Sequence, residues 1–216
     1  MRFPGIRRMS AARLVRYLVG IWVVSLGIVL CKKCGLGISP ISCVPLVLTE
    51  AVSLTFGTLT MLFHFANTAL QMLVCRRFNS LWLWLQVPLA FVFGLTIDFL
   101  NAALPVAGTT VVSQVALLAG SVVATAGGMA LMLGSDLVQN PPDGTVKCLA
   151  EKTGRETGWV KVAYDVAMVL VACALGLVCC GRPVGIGVAT LVSAVMVGIT
   201  MGWLQCLGRR LTKARQ

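Results

Sequence analysis

One histidine, His64, and two aspartates, Asp98 and Asp165, lie inside long apolar runs of this 216-residue chain. An ionisable side chain in such a setting is costly and calls for a partner or a task. Imidazole titrates near neutral pH, so a histidine and a carboxylate brought together there have the chemistry of a proton relay or of a polar-solute site. Asn67 and Gln71 follow His64 at spacings of three and seven, with Thr60 and Thr68 on the same side, so one face of that helix is polar. Gln86, Ala90, Gly94, Asp98 and Asn101 make a comparable stripe on the next run, and Lys161 precedes Asp165 by one helical turn, close enough to pair with it. Two short polar motifs, Ser39 to Ser42 and Asn140 to Gly144, open helices whose free amides favour anions, or which Ser42 and Asp143 simply cap. The candidate substrate-binding residues are therefore His64, Asn67, Gln71, Gln86, Asp98, Asp165, Ser39, Ser42, Asn140 and Asp143. Plain interhelical hydrogen bonding is the alternative role for the intramembrane members of this set.

No catalytic, cofactor or metal site is expected. The chain has no GxSxG, HExxH, P-loop or dinucleotide fingerprint, and a single histidine cannot build a multi-histidine metal centre. Cys31 and Cys34 in CKKC have redox spacing, and a local disulfide is the chemistry expected of them if they have any. The other cysteines, Cys75 among them, read mostly as small hydrophobes.

Composition sets the environment. With 58% hydrophobic and 12% charged residues and a mean hydropathy of +0.92, a water-soluble fold is excluded. The net charge of +11 does not point to nucleic acid, because the basic residues cluster at the ends of apolar runs. Those runs fall at about residues 14–31, 57–75, 81–103, 110–133, 158–180 and 184–207, each near the roughly 20 residues that cross a bilayer. The first lacks a small-residue cleavage site and is expected to stay as a helix.

The linkers after the first and fourth runs each read as a loop followed by a short helix, and they align when the chain is slid over itself by 101 residues without a gap. Gly27 then meets Gly128, Pro40 meets Pro141, Glu50 meets Glu151, Gly57 meets Gly158, and His64 meets Asp165. The expected fold is all-α, with six transmembrane helices as two inverted three-helix repeats, each holding a short non-spanning helix after its first crossing. The segments are a basic N-terminus (1–13), repeat 1 (14–104), repeat 2 (105–207) and a basic tail (208–216). The second short helix, carrying Glu151 with Arg155 and Lys152 with Glu156, is expected to be more solvated than the first. Small residues at Gly120, Ala124 and Gly128 and at Ala194, Gly198 and Gly202 form two packing seams. With the N-terminus inside, fifteen of the eighteen lysines and arginines face the cytoplasm and only Lys32, Lys33 and Arg182 face outward. That bias predicts a multi-pass protein of the bacterial inner membrane with both termini cytoplasmic.

GLGISP at residues 35–40, QVPLAFVFGLTID at 86–98 and NPPDG at 140–144 are similar to motifs of the YczE/YitT-type bacterial membrane proteins, over about residues 16–204. The resemblance implies a membrane-embedded helical fold and no particular reaction. YitT-like members carry a soluble C-terminal domain, and a chain that stops at Gln216 is expected to belong to the YczE-like branch.

Two functions are compatible with these features. A small-molecule or ion permease would enclose a polar cavity lined by His64, Asn67, Gln86 and Asp165. A non-catalytic accessory subunit or substrate-capture partner would show a solid interior and expose its small-residue seams. The expected partners are the lipid bilayer, a small solute or ion, and either a second copy of the chain or a membrane partner protein.

Overall fold

The computed structural model describes residues 10–76, 78 and 80–213, without the side chains at 202 and 204–213. Residues 1–9 of the basic N-terminus, and the side chains of the basic tail, lie outside the described residues. The described chain is all-α, with eight helices: α1 (Ala11–Lys33), α2 (Pro40–Ala51), α3 (Phe56–Cys75), α4 (Leu81–Ala103), α5 (Val111–Gly134), α6 (Pro141–Thr153), α7 (Thr157–Cys180) and α8 (Val188–Lys213). Five of them, α1, α3, α4, α5 and α7, have 20 to 24 residues and enough apolar content to cross a membrane. The apolar part of α8 that is described runs over Val188–Met201.

Local chemistry sets the helix ends. Pro40 opens α2, and Pro141 and Pro142 open α6, at positions where a missing N–H costs nothing. Thr55 caps α3 by accepting from the Thr58 amide, and Thr110 with Ser113 forms a capping box on α5. Arg76, Gly154 and Gly181 take left-handed conformations that end α3, α6 and α7. The last helix starts at Val188 rather than near 184, because Gly185 has φ +71° and the chain there bonds to another loop instead of to its own next turn.

The tightest crossing is between α1 and α5. Added methyl groups would strike Thr125 and the Ser121 carbonyl at Gly27, and Val24 and the Gly20 carbonyl at Gly128. Low positions on α1 meet high positions on α5, as Arg16 with Gly134 and Leu30 with Gly120 also show, so the two helices run antiparallel. The α2 helix packs on α7 and α6 packs on α3, and each short helix also touches its sequence neighbour, α3 or α7.

Half of α6 is buried, contrary to the solvated helix expected. Pro141, Pro142, Gly144, Thr145, Val146, Cys148 and Ala150 are covered. The reason is Gly144, where a Cβ would come within 2.5 Å of Gln71 Oε1, so glycine lets α6 lie directly on α3. Neither Glu151–Arg155 nor Lys152–Glu156 forms an ion pair among the described residues. Among the described residues the seam expected on α8 has no partner at Gly198, where nothing lies within 4 Å of an added Cβ, whereas Gly128 on α5 sits in the crossing.

Apolar side chains face outward in helical stripes: Phe91, Leu95 and Phe99 on α4, Val162, Val166 and Leu170 on α7, Leu191, Val195 and Ile199 on α8. Polar side chains face inward, with Thr60, His64, Asn67, Thr68, Gln71, Gln86, Thr145 and Asp165 all buried. This inside-out amphipathicity fits hydrocarbon surroundings and rules against water as the solvent of those faces.

Candidate functional site

The polar face of α3 is the backbone of the site. Thr60 donates to the Phe56 carbonyl one turn back, which satisfies its hydroxyl without an outside partner. Gln71 reaches α4: its Nε2 donates to Gln86 Oε1 at 3.0 Å and Gln86 Nε2 donates back to Gln71 Oε1 at 3.2 Å. The Thr68 hydroxyl has one proton and two acceptors in reach, Gln86 Oε1 at 2.9 Å and the His64 carbonyl at 3.0 Å, and Gln71 Nε2 donates to the Pro141 carbonyl at 2.9 Å. Asn67 ties in α6 and α7, its Oδ1 accepting from Thr145 at 3.0 Å and from the Tyr164 hydroxyl at 2.6 Å. Four elements are thereby joined through two amide side chains.

His64 stands apart from this bonding. It is 3% exposed, stacks at 4.9 Å on Phe93, and its Nδ1 has no hydrogen-bond partner. A small cavity of about 10 Å³ adjoins it, lined also by Tyr17, Gln86 and Asn140. A larger pocket of about 180 Å³ opens between exposed Asp136 and Glu151 and ends on Gln71 and Gln86. Gln86, Met132 and Gln139 line both spaces, so they form the partition between the open pocket and the histidine.

Asp165 does not meet His64. Both of its oxygens accept from Lys161 Nζ, at 2.7 and 2.9 Å, as their four-residue spacing allows. Asp143 lies within electrostatic reach of that pair. Burial raises its carboxyl above the usual range, Lys161 opposes the rise and the Asp165 charge adds to it. The structure thus gathers Asn67, Gln71, Gln86 and His64, with Asn140 at the small cavity and Asp143 and Asp165 behind Asn67.

Three candidates lie elsewhere. Asp98 on α4 closes the N-terminus of α3, its Oδ1 accepting from the Gly57 amide at 2.8 Å and its Oδ2 from the Thr55 hydroxyl. A carboxylate there complements the helix dipole, and its role is to hold two helices together. Ser39 bonds to Ser42 at 3.1 Å at the start of α2, and neither Ser39 nor Asn140 caps its helix through its side chain.

The cysteines depart from expectation as well. Cys31 and Cys34 are free, because α1 runs on to Lys33 and leaves Cys34 Sγ donating to the Cys31 carbonyl at 2.9 Å. The disulfide is Cys75–Cys148, with a Cα–Cα distance of 6.3 Å, joining the end of α3 to α6 beside the larger pocket. Tyr164, Thr145 and Tyr17 also belong to the site and were not singled out in the sequence. Tyr17 and Tyr164 lie in apolar runs, where a tyrosine reads as one more hydrophobe, and Thr145 lies in the linker between two runs.

Outward apolar stripes around a hydrogen-bonded polar interior define an all-helical integral membrane protein. The family described as "Family of unknown function (DUF6198)" matches residues 11–206, and the chain belongs to it. It is similar to the Uncharacterized membrane protein YczE of Bacillus subtilis (strain 168), with 26% identity over 186 residues, 86% of this chain and 81% of that protein. The YczE-like likeness read from the motifs at 35–40, 86–98 and 140–144 is borne out. No solved structure matches the chain.

Proposed function

We propose that this chain is a permease of the bacterial inner membrane for a small polar solute or ion, built as two inverted repeats of three crossings, with α8 as the sixth. The carrying observation is the pocket of about 180 Å³ that ends on the buried amides of Gln71 and Gln86, one partition away from an unpartnered His64. Buried amides and an imidazole with spare hydrogen-bonding capacity suit an uncharged or zwitterionic solute better than a purely apolar one.

The inverted repeat is supported by helix starts and by contacts. Shifted by 101 residues, α1, α2 and α3 would begin at 112, 141 and 157, against Val111, Pro141 and Thr157. The same shift turns the contacts of Gly27 with Thr125 and Ser121 into those of Gly128 with Val24 and Gly20. Contacts that exchange in this way belong to a two-fold, and between antiparallel helices its axis is perpendicular to both. If these helices cross the membrane, that axis lies in the membrane plane. The packing of α2 on α7 and α6 on α3 exchanges likewise, while the packing of α3 on α4 has no counterpart between α7 and the described part of α8.

In this reading Arg76, Lys147 and the pocket mouth face the cytoplasm, so the neighbouring Cys75–Cys148 pair meets a reducing medium and the site does not depend on its staying oxidised; the chain is not an enzyme. Purified protein tested against a panel of amino acids, small amides and inorganic ions should be thermally stabilised by a solute that no longer stabilises Gln86→Leu. The same solute should then enter proteoliposomes. A solute that binds at the pocket but never crosses would leave the chain as a capture subunit, and a reporter at Gln216 scoring extracytoplasmic would reverse the orientation.

A further inference from the structure

Opposite the pocket, two loops clasp each other through their backbones. The Ile38 amide donates to the Gly185 carbonyl at 2.9 Å and the Ala189 amide donates to the Leu36 carbonyl at 3.0 Å. Between these bonds Gly37 and Gly187 touch, and a Cβ on Gly37 would come within 2.7 Å of the Gly187 nitrogen. Gly35, Gly37 and Gly185 have φ of +74°, +106° and +71°, which side-chain-bearing residues rarely adopt. Ile38, Cys34 and Cys43 behind the clasp are fully buried, so this face is sealed.

The matching place in the other half is open. Displaced by 101 residues, Leu36 to Ile38 become Leu137 to Gln139, and the segment from Gly185 to Ala189 becomes Trp84 to Pro88. Leu137, Val138 and Gln139 form one side of the 180 Å³ pocket, with Leu83 and Gln86 across from them. The counterpart of the Ala189 amide is Pro88, which has no N–H to give, and α4 is already helical from Leu81. One position in the fold is therefore seen shut on one face and parted on the other.

We propose that the clasp between residues 36–38 and 185–189 is the gate of the face opposite the pocket, and that it parts when the pocket closes. This rests on the permease reading, since a solute entering the pocket can leave only through the sealed face. Opening requires breaking two backbone hydrogen bonds between loops of glycine-rich chain, and the ion pair seen among the described residues, Lys161–Asp165, is not part of the clasp.

Cys43 is a native reporter, because its thiol sulfur lies 3.7 and 3.8 Å from the Ile38 and Gly185 carbonyls, with the Ser39 carbonyl of its own helix at 3.5 Å. With every other cysteine replaced by serine, a membrane-impermeant maleimide added to intact cells should label Cys43 slowly. Gly187→Val, whose side chain would press on the Leu36 carbonyl, should raise that rate about tenfold or more, as loss of one or two net hydrogen bonds would. Gly187→Ala serves as the milder variant should the valine fail to fold. A Lys147→Cys probe in the pocket, labelled from the cytoplasmic face of inverted vesicles, should slow in parallel. Cys43 staying protected in a folded variant, or Lys147→Cys labelling unchanged while Cys43 opens, would overturn the proposal. Joining Leu36→Cys to Ala189→Cys by a disulfide separates the two readings. Uptake that survives the lock removes the gate and keeps the permease, whereas an opening clasp without uptake of any solute removes the permease.

Discussion

Gly27 of α1 lies against Thr125 of α5, and Gly128 of α5 lies against Val24 of α1, in one self-complementary crossing. An added Cβ would meet the Thr125 and Val24 side chains and also the backbone behind them, so moving a side chain aside does not make room. Gly128→Val is expected to destabilise the protein by about 1–3 kcal/mol, the range for overpacking a tight contact, and Gly27→Val by a similar amount. Thermal unfolding in detergent measures both. A variant melting at the parent temperature would mean that the two helices separate more readily than their contacts indicate.

Asn67 Oδ1 accepts two buried hydroxyl protons, from Thr145 and Tyr164, while its Nδ2 donates to the Phe63 carbonyl at 2.9 Å. Removing the acceptor strands the Tyr164 hydroxyl, while the Thr145 hydroxyl still has the Pro141 and Asn67 carbonyls at 3.1 and 3.2 Å; removing the Tyr164 donor strands no donor at all. Asn67→Leu should therefore cost more than Tyr164→Phe, with the stranded hydroxyl worth about 1–3 kcal/mol. Equal losses in the two variants would show that the Tyr164 hydroxyl finds another acceptor.

Much of this interior was legible in the sequence. The stripe of His64, Asn67 and Gln71 needs only helical periodicity to be read, and all three are buried as that pattern requires. The two short helices were legible but their starts were not: Ser42 and Asp143 read as caps, whereas α2 and α6 begin at Pro40 and Pro141, with Ser39 and Asn140 at the cap positions. What periodicity does not carry is which helix a buried face meets. Asp98 read as a candidate site residue until its partner, the N-terminus of α3, was known to lie 41 residues back. His64 and Asp165 occupy matched repeat positions, yet Lys161 one turn away takes the carboxylate. Cys75 and Cys148 are 73 residues apart and share no motif, so their pairing depends on the docking of α6.

Asp143 sits in that docked helix, and its raised carboxyl affinity for protons has a sign that can be checked. Burial raises the folded-state value above the unfolded one, so the folded protein holds the proton more tightly. Stability from this group is then greatest at low pH and falls as pH rises above about 4, the unfolded aspartate value. Asp143→Asn should melt higher than the parent at neutral pH and lose that component of the pH dependence. A variant less stable than the parent at pH 7 would mean that the ionised carboxylate is held by Lys161 strongly enough to outweigh its burial.

His64 separates a site from a scaffold. Its ring is buried against Phe93 and its Nδ1 bonds to nothing in the protein, beside a cavity of about 10 Å³ that is close to the room one water needs. If the imidazole serves only packing, His64→Phe should leave stability near the parent value, because the ring shape is kept and no protein hydrogen bond at Nδ1 is lost. If the imidazole serves the solute, the same variant should bind that solute at least about tenfold more weakly, since one hydrogen bond to a buried polar group is worth about that factor. Melting temperature and solute titration on one preparation give both numbers. Retained stability with lost binding assigns His64 to the site, and retained stability with full binding leaves the Gln71–Gln86 amide pair to hold the solute without it.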